Sequence, residues 1–186
     1  LKTLSLKDYG LKNTSGLKEV KGLVSLNLSG NKNLSDLTGI EGMESLESLD
    51  IRETAVSDIG AVKSLSSLKS LDISYTLIED TSPLKECKKL EKLYAGYNNE
   101  NFTDSGILDV AGSLKNLKEL DLTGDVAIVG GMENIKKLNS LVSLELGGTF
   151  INNKQCRYIS GLKQLEILGL QSNINITDFN FLTGLK

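Results

Sequence analysis

Asp50 and Asp72 sit in the same tetrapeptide, Ser-Leu-Asp-Ile, 22 residues apart. Such a pair of carboxylates is the first candidate for chemistry, because two side by side can move a proton or bind Ca²⁺. Other candidates fall away quickly. The chain has no histidine, which removes Ser-His-Asp and Cys-His nucleophiles and every His-based zinc site. Its two cysteines, Cys87 and Cys156, make no C-x-x-C and are too few for a disulfide scaffold. The stretch from Gly124 to Gly131 is glycine-rich but lacks the Gly-Lys-Ser/Thr of a phosphate loop. A formal charge of −3 and a pI near 5.1 give no basic field to recruit nucleic acid or an acidic membrane. Uninterrupted apolar runs last only a few residues, so nothing in the segment reads as a membrane span.

A repeat positions the two aspartates. The block L-x-x-L-x-[L/I/A] recurs eight times, starting at Leu1, Leu23, Leu46, Leu68, Leu90, Leu117, Leu141 and Leu165. The steps between blocks are 22, 23, 22, 22, 27, 24 and 24 residues. Three residues after the last apolar position of each block stand Tyr9, Asn31, Thr54, Thr76, Asn98, Asp125, Thr149 and Asn173. All but Tyr9 carry a short side chain able to hydrogen-bond backbone. The L-x-L alternation is that of a strand, with Leu26 and Leu28 pointing one way and Asn27 the other. One such strand cannot bury its face alone, whereas stacked coils about 4.8 Å apart share a continuous leucine core. Apolar residues return every third position in Val56, Ile59, Val62 and Leu65, which fits tight 3₁₀ or extended returns.

The pattern L-x-x-L-x-L-x-x-[N/T], as in Leu23 to Asn31, resembles the leucine-rich repeat family along the whole chain. Repeats three and four are similar to the 22-residue internalin-like class, including Ser82-Pro83-Leu84. The later repeats look like longer, helix-bearing repeats of ribonuclease-inhibitor type, from Asn101 to Leu108 and again from Ile151. The resemblance implies an α/β repeat fold: a solenoid of about eight repeats with a curved, parallel, concave sheet, 3₁₀ or extended returns, and one or two short convex helices. Residues 1–186 read as a single such domain. Leu1 opens directly on a strand block and neither end shows a recognisable cap, so the expectation is a piece of a longer chain.

Two helices are predicted. Thr103 or Asp104 can cap one within Asp104–Leu114, where Ile107, Leu108, Ala111 and Leu114 recur at helical spacing. A second is expected around Lys154–Ser160, ended by Gly161. Cys87 falls in the apolar register of Met43 and Leu65, and Cys156 lies three coils on, beyond disulfide reach.

The repeat register writes the outward face column by column. Its middle column is Ser5, Asn27, Asp50, Asp72, Tyr94, Asp121, Glu145 and Gly169. Across coils three to seven this face gathers Asp50, Asp72, Asp121 and Glu145 around Tyr75, Tyr94 and Tyr97, with Arg52 and Lys92 nearby. An open sheet with cations beside the acids argues against catalysis, Ca²⁺ or any cofactor. Aromatic anchors in an acidic field point to a protein partner with a basic surface. The expectation is a non-enzymatic recognition module, with no nucleic-acid partner and no insertion of this segment into a membrane. The internalin-like resemblance implies a surface or secreted receptor or adhesin. Two alternatives stay open: an intracellular scaffold like those that regulate phosphatases, or the substrate-recruiting repeats of a larger enzyme.

Overall fold

A computed structural model describes residues 1–98 and 106–185. Eight three-residue strands form one parallel sheet in strict chain order: β1 (Thr3–Ser5), β2 (Ser25–Asn27), β3 (Ser48–Asp50), β4 (Ser70–Asp72), β5 (Lys92–Tyr94), β6 (Glu119–Asp121), β7 (Ser143–Glu145) and β8 (Ile167–Gly169). The central leucines pair in register from Leu4 through Leu26, Leu49, Leu71, Leu93, Leu120 and Leu144 to Leu168. The repeat thus sets the register, since a one-residue slip would turn every leucine outward. The ladder continues beyond each strand, for example from the Leu28 amide to the Asp50 carbonyl and from the Gly30 amide to the Arg52 carbonyl.

Inward leucines and isoleucines of every inner coil merge into one buried core. In the outermost coils Leu4, Leu6, Leu168 and Leu170 are only half-buried, because a neighbouring coil covers one side alone. Short 3₁₀ segments make the returns of the first four repeats, at Ser15–Leu17, Thr38–Ile40, Gly60–Ser64 and Ser82–Glu86. Helix α1 (Gly106–Ala111) buries Ile107, Leu108, Val110 and Ala111. The cap expected at Thr103 or Asp104 lies outside the described residues. Helix α2 (Asn153–Ile159) starts one residue before the sequence reading. Asn152 caps it by accepting the Lys154 amide at 2.8 Å, while Gln155 reaches back to the Asn152 amide. In repeat six, after a turn at Gly124, the glycine-rich stretch enters a 12-residue 3₁₀ return, Val126–Lys137. Cys87 and Cys156 are buried and free, and burial pushes the Cys87 thiol up to about 11.

Where the chain turns in after each strand from β2 onward, a polar side chain enters the apolar interior, whereas Tyr9 in the first coil is exposed. Asn31 donates to the carbonyls of Leu28 (2.6 Å) and Leu6 (2.9 Å), and its Oδ1 accepts the Leu11 amide. Asn98 donates to the Ala95 and Ile73 carbonyls and accepts the Thr76 amide at 2.8 Å. Asn173 donates in the same way to Leu170 and Leu146, one coil back. Thr54, Thr76 and Thr149 each donate to the carbonyl three residues earlier. Asn98→Ala strips four buried hydrogen bonds, three of them to the neighbouring coil, and is expected to cost about 2–5 kcal/mol. Asn13→Ala, in an exposed turn, is expected to cost under about 1 kcal/mol. Urea unfolding of both variants checks the contrast.

Candidate functional site

The pleat sends alternate side chains of each strand to the open face, so the sheet itself carries the site. Arg52, Asp72, Tyr75, Tyr94, Tyr97 and Asp121 line one depression of about 410 Å³, joined by Lys7, Glu53, Ser74 and Gly96. Six of the nine residues singled out on this face of the sheet therefore meet in one place, while Lys92 pairs with Glu119 instead. Asp50 adjoins it through Arg52, whose guanidinium lies 3.4 Å from the Asp50 carboxylate and 3.5 Å from that of Asp72. Glu145 does not line it; its carboxylate lies over Gly169, in the space a Cβ would fill.

The carboxylates do structural work as well. Asn27, Asp50, Asp72 and Asp121 each use Oδ1 to accept the amide two residues on, at 2.8–3.1 Å. These side-chain turns bend the chain away from the strand. With Oδ1 bound to an amide and Oδ2 facing Arg52, the Asp50–Asp72 pair is arranged as a guanidinium clamp. Burial, reinforced by Asp72 on the next strand, holds the Asp50 carboxyl above its usual range. Among the described residues no group of three or more Asp, Glu or Cys side chains is placed to hold a metal ion.

The three tyrosines are held differently. Tyr94 leaves β5 on the open face, and its hydroxyl donates to Glu119 Oε2 at 2.6 Å. Glu119 also pairs with Lys92 across the same two strands at 2.8 Å. Burial and the Glu119 carboxylate both raise the Tyr94 phenol, so it stays neutral in ordinary buffers. Tyr75 and Tyr97 stack on each other, with ring centroids 4.6 Å apart and planes 9° from parallel. They stand in the second position after the strand's last apolar residue, where all eight coils take a left-handed turn. The φ values there run from 54° at Asp8 to 79° at Gly124. A left-handed turn costs an L-residue roughly 1–2 kcal/mol, and ring stacking returns about 0.5–1.5 kcal/mol. Gly124 completes the stack: a Cβ there would come within 2.7 Å of the Tyr97 ring, and its φ of 79° favours glycine independently.

A second depression of about 410 Å³ shares Tyr97 as a wall and continues over Gly124, Gly147 and Gly148 to Val126, Phe150 and Gln171. The sequence reading missed Val126 and Phe150. Each stands one residue after the buried polar turn of its repeat, and aligning that column would have shown them beside Leu77 and Ile174.

No family model and no curated protein matches the chain. Solved structures do match. The crystal structure of internalin C2 from Listeria monocytogenes is 25% identical and superposes with a TM-score of 0.85, covering 98% of this chain and 77% of that one. An internalin F structure from the same species is 26% identical with a TM-score of 0.61, covering 99% of this chain and 65% of that one. A chain of the TLR13–ssRNA13 complex shares the fold, at 23% identity and a TM-score of 0.75, over 93% of this chain and 26% of that one.

Lys92 first, then the Tyr94 hydroxyl, hold the Glu119 carboxyl below its usual range. A carboxyl depressed in the fold adds stability above its unfolded pKa and loses it as pH falls through the folded value. Glu119→Gln is therefore expected to lower the melting temperature slightly at about pH 7, with the difference from wild type closing by about pH 3. Melting curves across that range check it. Eight in-register coils, a shared leucine core and a buried Asn/Thr turn in coil after coil make the chain a leucine-rich repeat protein of internalin-like architecture.

Proposed function

We propose that the chain is a non-enzymatic recognition module that binds a protein on the open face of its sheet. The observation that carries this is the notch itself. Three tyrosines, two of them stacked in left-handed backbone, surround carboxylates on a face that no other element of the described chain covers. Aromatic anchors of this kind supply most of the energy of protein interfaces. Glu53, Asp121 and Glu145 have no ion pair among the described residues, which supports a partner with a basic surface. The internalin likeness supports a place on a cell surface or in secretion, as a receptor or adhesin. No helix among the described residues is long and apolar enough to cross a membrane.

Paired affinity capture tests the reading, with wild type, Tyr94→Ala and the return-segment variant Lys136→Ala as baits. A protein retained by wild type and Lys136→Ala but lost by Tyr94→Ala is the expected result. Its affinity for Tyr94→Ala is expected to fall by about 1–3 kcal/mol. Melting is expected to hold, because Tyr94 is off the core, whereas Leu93→Ala costs roughly 2–5 kcal/mol of stability. Asp72→Asn keeps the Oδ1 that accepts the Ser74 amide, so it tests charge alone. Its deficit is expected to shrink as salt rises toward about 1 M. Equal capture by all three baits would move the binding surface off this face.

A further inference from the structure

We propose that the tyrosine notch and the uncharged shelf beside it form one continuous site for an extended segment of a protein partner. That segment presents a basic side chain to the notch and, about three residues along, a large apolar side chain to the shelf. The inference deepens the recognition reading above and rests on it.

Continuity comes first. Tyr97 lines both depressions, so they adjoin across its ring. Their chemistry is opposed. The notch holds Glu53, Asp72 and Asp121 against Lys7 and Arg52, and Arg52 is already engaged by Asp50 and Asp72. Asp121 forms no ion pair among the described residues, so the notch offers a carboxylate to an incoming cation. The shelf has no charged residue in its lining. Tyr97, Val126 and Phe150 supply its apolar surface beside Gly124, Gly147 and Gly148, and the Gln171 side-chain amide lies over Gly147.

Phe150 is the second observation. It is 56% exposed and held at φ 59°. An aromatic in left-handed backbone is a conformational outlier. Tyr75 and Tyr97 recover part of that cost by stacking on each other, but Phe150 makes no ring contact among the described residues. Coil one places a glycine, Gly10, at the corresponding position. The same column carries Leu77 at 53%, Val126 at 38% and Ile174 at 82% exposure, so apolar surface runs along this edge of the later coils. The first three repeats have Gly10, Lys32 and Ala55 there instead.

The spacing sets the ligand. Notch and shelf centres lie about two strand spacings apart, roughly 10 Å, which an extended chain covers in three residues. A basic group fits the notch, where Asp121 can pair with it and the tyrosine rings can stack on it. An apolar group fits the uncharged shelf. Single-stranded RNA would set phosphates against the notch carboxylates, and the shelf supplies no cation to hold them.

The experiment is selection of random dodecapeptides displayed on phage against the 186-residue chain, followed by fluorescence anisotropy with the enriched peptides. Enriched sequences are expected to carry Arg or Lys about three residues from Leu, Ile, Val or Phe. Phe150→Asn and Asp121→Asn are each expected to weaken binding about five- to tenfold. Asparagine tolerates a left-handed backbone, so Phe150→Asn keeps the fold. Replacing the peptide's basic residue by Ala is expected to erase the effect of Asp121→Asn and leave that of Phe150→Asn. If Tyr94→Ala abolishes binding while Phe150→Asn and Val126→Ser leave it unchanged, the shelf is no part of the site and only the recognition reading stands. If none of the four variants changes binding, both fall. An absence of enriched peptides, or tighter binding of oligouridylate than of any peptide, overturns the inference.

Discussion

Everything in this fold depends on one awkward requirement: the backbone must turn inward, through an apolar core, once in every coil. A carbonyl or amide left alone there would cost about 1–3 kcal/mol. Asn31, Asn98 and Asn173 meet the requirement by bonding both their own coil and the one before it. Threonine bonds its own coil from its hydroxyl to the carbonyl three residues back, and Thr76 and Thr149 also reach the asparagine of the next coil. The polar turn therefore ties coil to coil as well as closing each one. It complements the leucines, which attract neighbours without fixing their angle.

Because turns and core hold the solenoid, the open face is free to vary, yet it is not free of structural duty. The column that supplies Asp50, Asp72 and Asp121 also bends the chain at each strand end through Oδ1. Tyr94, in the same column, has no such acceptor and sends its hydroxyl to Glu119 instead. An acidic column in a repeat of this kind is thus partly an architectural signature. What separates coils four and five is the pair of stacked tyrosines placed on their turns, with Gly124 of coil six under the second ring.

Much of this was legible in the sequence because it is periodic. L-x-x-L-x-L fixed the strands and their register, and the residue three places on fixed the buried turn. The convex helices were legible from Ile107, Leu108 and Ala111 and from the polar run before Gln155 and Cys156. The 12-residue length of the 3₁₀ return over Val126–Lys137 was not, since it comes with packing against both helices rather than from a local signal. The columns brought Arg52, Asp72, Tyr75, Tyr94, Tyr97 and Asp121 together, whereas Asp50 only adjoins the notch and Glu145 is directed along the sheet by its length and the gap at Gly169. The stack of Tyr75 on Tyr97 was hidden. Its geometry depends on a left-handed turn that Gly30, Gly124 and Gly148 signal in other coils but that the tyrosines themselves conceal.

The place of the site along the solenoid follows from the same physics. A coil at either end has a neighbour on one side only, and there Leu4, Leu6, Leu168 and Leu170 are half-exposed. Such a coil can shift against its partner with little loss of packing. Coils four to six are clamped by ladder bonds on both flanks, from the Tyr75 amide to the Gly96 carbonyl and from the Tyr97 amide to the Thr123 carbonyl. Stacking two rings at 4.6 Å needs their backbones fixed to within a fraction of that distance. Only an interior coil provides that stiffness. The left-handed strain at Tyr75 and Tyr97 persists there because the surrounding ladder over-determines it.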